Sequence, residues 1–229
     1  MDLLQRRREM MARGTEPRYI TDGLILWLDG IEKGASDGSW VDKIGGHIFT
    51  NQGGVTPLDN GFSFDGSNDV MLNTSFNVVT SPDQHAIEVV ISDAYVASTS
   101  DGRTLFASYA ATSSYRIKRF NLSFYGSEVI CPAALEGFLG IPVTTPSDIR
   151  SIVFCPDGKH YINGDEMVTT APATYWSSNS MQNRIGSGWY NRARHFYKGN
   201  IHAVRIYNRS LTAEEVAHNY AIDLRRFNL

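Results

Sequence analysis

The sequence predicts an all-β sandwich of two antiparallel sheets, with a short helical arm in front and a short helix behind. Three observations predict it. Strand-like runs recur at short intervals between clusters of Gly, Asn, Asp, Ser and Pro, the pattern of a sandwich or barrel rather than of βαβ units. Two turns are legible within one stretch: Pro156-Asp157-Gly158, and Asn163-Gly164, which suits a tight type I′ hairpin. Near the end, Thr212-Ala213-Glu214-Glu215 reads as a capping box, which marks where a helix starts.

Taken in order, residues 2–12 carry Leu3, Leu4, Met10 and Met11 around Arg6, Arg7 and Arg8, with no glycine or proline before Gly14, and read as a short helix. Gly14 and Pro17 then punctuate the chain, so residues 1–18 are taken as a helical docking arm and 19–229 as one domain. Strands are expected at 24–28, 61–65, 86–91, 103–109, 116–125, 150–155, 159–162, 166–169 and 196–207. Alternation places Trp27, Phe62, Phe64, Ile152, Phe154, Val204 and Ile206 in the core between the sheets. In the closing helix, 213–226, Val216, Tyr220 and Leu224 fall at fourfold spacing and predict one apolar stripe against the sandwich.

Composition narrows the function classes. A chain of 229 residues that is 42% hydrophobic and 20% charged is expected to fold, and its length suits a single large sandwich. A net charge of −3 gives no overall basic field to draw it to nucleic acid. The first residues lack the apolar region and cleavage site of a secretory signal, and runs such as Gly23–Leu28 are too short to span a bilayer, so no membrane insertion is expected. Cys131 and Cys155 are too few for a disulfide framework and lack zinc-site spacing; both are read as free thiols.

Four stretches between Gly23 and Tyr220 resemble the laminin G-like, concanavalin A-like lectin/glucanase superfamily. They are the opening Gly23-Leu24-Ile25-Leu26-Trp27-Leu28-Asp29 with Trp40-Val41-Asp42 and Gly45-Gly46, and Phe62-Ser63-Phe64-Asp65-Gly66-Ser67-Asn68-Asp69, similar to the family's SFDGxxD turn. The others are His160-Tyr161-Ile162-Asn163-Gly164, similar to its YVNG hairpin, and the closing run from Tyr197 to Glu215. The resemblance implies a jelly-roll sandwich, and relatives that range from lectins and protein-binding modules to virion proteins and glycoside hydrolases, so function must be argued from a site.

Retaining glycosidases need two carboxylates about 5 Å apart, supplied in relatives by acids alternating along one strand. No such run occurs: Glu88 is the acid within 86–91, and the adjacent Asp165 and Glu166 point to opposite faces. The six histidines are scattered outside any nucleophile motif and read as surface or core residues. Asp29, Asp65 and Asp69 sit at turns where some relatives hold calcium, but Asx turns explain them more simply; no cofactor is expected. The ligand candidate is the loop 186–195, where Trp189 and Tyr190 could stack on sugar faces while Arg192 and His195 read hydroxyls. Leu3, Leu4, Arg6, Arg7, Arg8, Met10 and Met11 are candidates for docking onto other virion or assembly proteins.

These readings combine into one expectation: a non-catalytic structural or binding protein displaying a lectin-like module. The setting expected is a bacteriophage virion, with the chain as a capsid-decorating, head-fibre or tail-adhesin subunit, homo-oligomeric, assembled in the bacterial cytoplasm and able to meet cell-surface glycan. The alternatives are a bacterial glycan-binding module or accessory domain, at the cell surface or secreted, and a divergent glycoside hydrolase.

Overall fold

The computed structural model describes residues 18–75, 85–95, 102–110, 119–125, 128–132, 138–143, 145–167, 181–188 and 195–229. The arm residues Leu3 to Met11, and Trp189, Tyr190 and Arg192 of the candidate loop, lie outside them. In chain order the strands open with β1 (Leu24–Asp29), β2 (Trp40–Val41), β3 (Ile48–Gln52), β4 (Thr56–Leu58), β5 (Gly61–Asp65), β6 (Val70–Asn73), β7 (Ala86–Ser92) and β8 (Arg103–Ala110). They continue with β9 (Arg119–Tyr125), β10 (Glu128–Pro132), β11 (Phe138–Pro142), β12 (Ser151–Phe154), β13 (His160–Ile162), β14 (Asp165–Glu166), β15 (Met181–Ile185) and β16 (Lys198–Tyr207). A helix, α1 (Ala213–Arg226), follows.

The strands form two antiparallel sheets. One runs β14-β13-β12-β7-β16-β5-β4, with β1 also paired to β16; the other runs β11-β10-β9-β8-β15-β6-β3-β2. β16 is the organising strand. Its first half pairs with β5 and its second half with β1, while β7 lies along its other side. The seven-residue run of β7 is rich in β-branched residues, which fit a pleated surface packed on both sides. Ile87, Val89 and Ile91 of β7, with Ile201, Val204 and Ile206 of β16, face Phe106, Leu122 and Phe124 of the opposite sheet in the main core. Phe62, Phe64, Ile152 and Phe154 join them, as alternation predicted.

Trp27 does not. It is half-buried on the outer face of the first sheet, against a second cluster that holds Val153, Tyr161, Tyr207 and Val216, while its neighbours Leu26 and Leu28 point inward. The helix differs too. Its buried residues are Val216, Asn219, Ile222 and Asp223, while Tyr220 and Leu224 are only half-buried. The face it lays down is therefore partly polar, because the strands beneath present buried charge. The capping box is formed: Thr212 Oγ1 accepts from the Glu215 amide at 3.3 Å, and Glu215 Oε2 accepts from the Thr212 amide at 2.9 Å.

The Asn163-Gly164 hairpin joins β13 to β14, with both residues at positive φ (55° and 85°) as a type I′ turn requires. β14 ends at Glu166, short of the expected strand 166–169, of which 168–169 lie outside the described residues. β2, β3, β4, β6, β10, β11 and β15 complete the sheets without having been predicted; several are short and polar, β15 reading Met-Gln-Asn-Arg-Ile.

Candidate functional site

Three places in the fold bear on function. The first is the base of the loop that was expected to hold ligand. Ser187 and Gly188 are buried as they enter it, and His195 leaves it in a left-handed conformation (φ 64°). His195 Nδ1 donates to the Gly102 carbonyl at 3.1 Å, and the His195 carbonyl accepts from the Thr104 amide at 3.0 Å. Arg103 donates to the Phe196 carbonyl at 3.1 Å. Of the predicted ligand residues, His195 is thus placed at the foot of the loop, tied to β8, half-buried rather than displayed.

The second place is the surroundings of Glu88, the acid within the expected strand 86–91. Glu88 points outward under α1. Arg205 of β16 lies beside it with Nη1 2.9 Å from Glu88 Oε2, and also pairs in a fork with both carboxylate oxygens of Asp223 from α1. All three side chains are fully buried. Asn219 donates to Glu88 Oε2 at 3.1 Å and to the Tyr207 hydroxyl at 3.0 Å, while its own oxygen accepts from the Ile20 amide at 3.0 Å. Tyr19 donates to Asp223 Oδ1 at 2.8 Å and lays its ring 4.0 Å from the Arg205 guanidinium.

Two carboxylates and one guanidinium out of water leave an uncompensated negative charge, which burial disfavours. Burial accordingly pushes the Glu88 carboxyl above its usual range, against the pull of Arg205, while the two carboxylates hold Arg205 firmly protonated. The arrangement ties α1 and residues 19–20 to the sheet. It has no open cleft in which a sugar could lie. Sequence reasoning noted Glu88 but missed Arg205, Asn219 and Asp223. The signal was there, since Glu88 interrupts Ala86–Ile91 and Arg205 interrupts Ala203–Tyr207, and a charge in a doubly apolar strand needs a partner.

The third place is the set of turn aspartates. Asp29 Oδ1 accepts from the Ile31 and Glu32 amides at 2.9 and 3.1 Å, and its other oxygen accepts from Arg226 at 2.8 Å. Asp65 Oδ1 accepts from the Ser67 amide at 2.7 Å, and Asp69 Oδ2 from the Asp65 amide at 2.8 Å. The carboxylates are occupied in Asx-type turns and an ion pair, and the described residues contain no group of three or more His, Cys, Asp or Glu side chains placed to hold a metal ion. Cys155 is a buried free thiol, its pKa pushed up to about 12 by burial; the side chain of Cys131 lies outside the described ones. No helix among the described residues is long and apolar enough to cross a membrane.

Residues 156–217 match the family described as the concanavalin A-like lectin/glucanases superfamily. The segment spans β13, β14, β15, β16 and the start of α1. Fold and match together define the class: a concanavalin A-like, lectin-type β-sandwich.

Solved structures agree on the fold. Trypanosoma rangeli sialidase in complex with the inhibitor DANA superposes with a TM-score of 0.65 at 10% identity, over 95% of this chain and 38% of that one. The same sialidase in complex with sialic acid gives 0.63 at 12% identity, over 86% and 32%. The botulinum neurotoxin serotype D binding domain gives 0.58 at 16% identity, over 88% and 52%. This chain therefore spans between about a third and about half of the proteins it resembles. No curated protein matches it by sequence.

Proposed function

We propose that this protein is a non-catalytic, lectin-like module that binds glycan and is displayed on an assembly, with a bacteriophage virion as the setting. The observation that carries the non-catalytic reading is the burial of Glu88 beneath α1 in an ion pair with Arg205, which takes the acid within the expected strand 86–91 out of reach of a substrate. Glycan binding draws on the lectin/glucanase match and on fold neighbours that include a sialidase bound to sialic acid and a toxin binding domain. The loop 186–195, with Trp189, Tyr190 and Arg192, is the binding edge this reading favours. Display draws on the sequence alone: Leu3, Leu4, Met10 and Met11 place four large apolar side chains within eleven residues, around Arg6, Arg7 and Arg8.

The test is direct. The full chain is applied to a printed glycan array and, separately, to chromogenic glycosides. Binding without turnover supports the reading; turnover that disappears on replacing a carboxylate replaces it with the hydrolase alternative. Mixing with candidate virion proteins, followed by sizing, tests display.

A further inference from the structure

Among the described residues, the outer face of the first sheet is not covered along its whole length. The cover after α1 reaches Val90 and Ala203, on which Phe227 packs, and beyond that border β7 and β16 lead into a polar strip. Ser92 and Asn200 there are half-buried, and Asp93, Tyr95 and Lys198 exposed; Tyr95 retains 53% of its surface. A bulge in β16 skips His202 in the register against β7 and aims its ring at this border, 5.6 Å from Phe227.

The hydrogen bonds have one consistent polarity. His202 Nδ1 donates to the Asn60 carbonyl at 2.7 Å, so in the neutral ring, which burial favours, Nε2 can only accept. The Ser92 hydroxyl, 2.9 Å away, therefore donates to it and accepts from Asn200 Nδ2 at 3.2 Å. Ser92 Oγ also donates to Asp93 Oδ2 at 3.0 Å, so its single proton is shared between the imidazole and the carboxylate. Asn200 Nδ2 donates as well to Asp93 Oδ2 at 2.8 Å. Asp93 Oδ2 is thus held by Ser92 and Asn200, and the exposed carboxylate keeps its remaining acceptor capacity toward water.

Position is fixed as tightly as polarity. Asp93 sits in the left-handed region (φ 52°), strain that neighbours must hold. The Tyr95 amide donates to the Lys198 carbonyl at 3.0 Å, and Gly199 (φ 140°) lets the strands close: a Cβ there would stand 2.9 Å from the Asp93 carbonyl and 2.7 Å from the Tyr197 hydroxyl. Lys198 Nζ lies 5.0 Å from the centre of the exposed Tyr95 ring.

We infer that this strip is a saccharide site in which Asp93 accepts from ring hydroxyls, Tyr95 supplies an apolar platform and Lys198 a donor. An outward carboxylate acceptor suits a ligand rich in hydroxyl donors, and Asp93 with Lys198 sums to no net charge, which fits a neutral sugar better than an ion. The inference rests on the glycan-binding reading and moves its chemistry from the loop to the sheet.

The experiment screens the full chain on a glycan array, then titrates the free oligosaccharide of the strongest hit by calorimetry into wild type, Asp93→Asn, Tyr95→Ala and Trp189→Ala. Asp93→Asn and Tyr95→Ala should each weaken binding tenfold or more while melting stays at the wild-type temperature. Wild-type affinity in both variants, or loss confined to Trp189→Ala, overturns the strip and leaves the glycan reading standing. No array hit from the folded wild type overturns the glycan reading itself, and the strip with it.

Discussion

One strand, β16, carries polar side chains outward at both of its ends, and the two ends have opposite fates. Toward its C-terminal end Arg205 is roofed by α1 and Tyr19, and its charge is spent on Glu88 and Asp223. Toward its N-terminal end Asn200 and Lys198 remain at the surface beside Asp93 and Tyr95. The residue types are similar; the cover is not. Where a roof excludes water, partners must be internal and the groups become structural. Where it stops, the same hydrogen-bonding capacity is available to a ligand.

The largest effect should come from the covered end. Arg205→Met leaves two carboxylates without their cation and should destabilise by about 3–5 kcal/mol in urea denaturation, as for any broken buried ion pair. Glu88→Gln keeps the Arg205–Asp223 fork and should cost far less. Equal losses in the two variants would show that the triad is not organised around Arg205. Beneath the same sheet, Phe64→Ala should cost about 3 kcal/mol or more, since Phe64 packs against Tyr197 and under Gly186 in the core. A near-neutral result would contradict the register of β5 on β16.

A smaller effect is pH-dependent. His160 of β13 is buried and stacked 4.9 Å from Phe154, and burial lowers its pKa from 6.5 to about 4. Between those values the unfolded chain takes up a proton that the native state refuses, so stability is full above pH 6.5 and falls as pH drops toward 4. The slope contributed is up to about 1.4 kcal/mol per pH unit. Denaturation of His160→Gln across this range should show a flatter profile; an unchanged profile would remove His160 from the account.

The open end should be the least sensitive. Asn200→Ala, which removes the side-chain bonds to Ser92 and Asp93, should cost about 1 kcal/mol, well below the loss at Arg205. Deleting residues 1–17 should leave melting nearly unchanged while abolishing assembly. Residue 18 is retained because its carbonyl accepts from His218 of α1.

The contrast also explains what the sequence could reveal. Alternation in β5, β12 and β16 exposed the inner face, because one side of each strand had to be apolar. It failed at Trp27, where both faces of β1 are covered and an apolar residue carries no direction. The helix stripe misled for the same reason: Asn219 and Asp223 lie on the buried side because Glu88, Arg205 and the Ile20 amide wait there, and fourfold apolar spacing cannot register a polar face. The polar strip was invisible as a unit, since Asp93, Tyr95, Lys198 and Asn200 come from segments that only strand pairing brings together.

We propose that this β-sandwich, with Glu88 buried in an ion pair, binds sugar without cleaving it. Calorimetric titration of the strongest array-identified oligosaccharide, with the recovered sugar analysed by mass, measures both halves at once. The account predicts saturable binding and an intact saccharide. A cleaved product whose formation stops when a carboxylate is replaced, or a folded protein that binds no glycan, would contradict it.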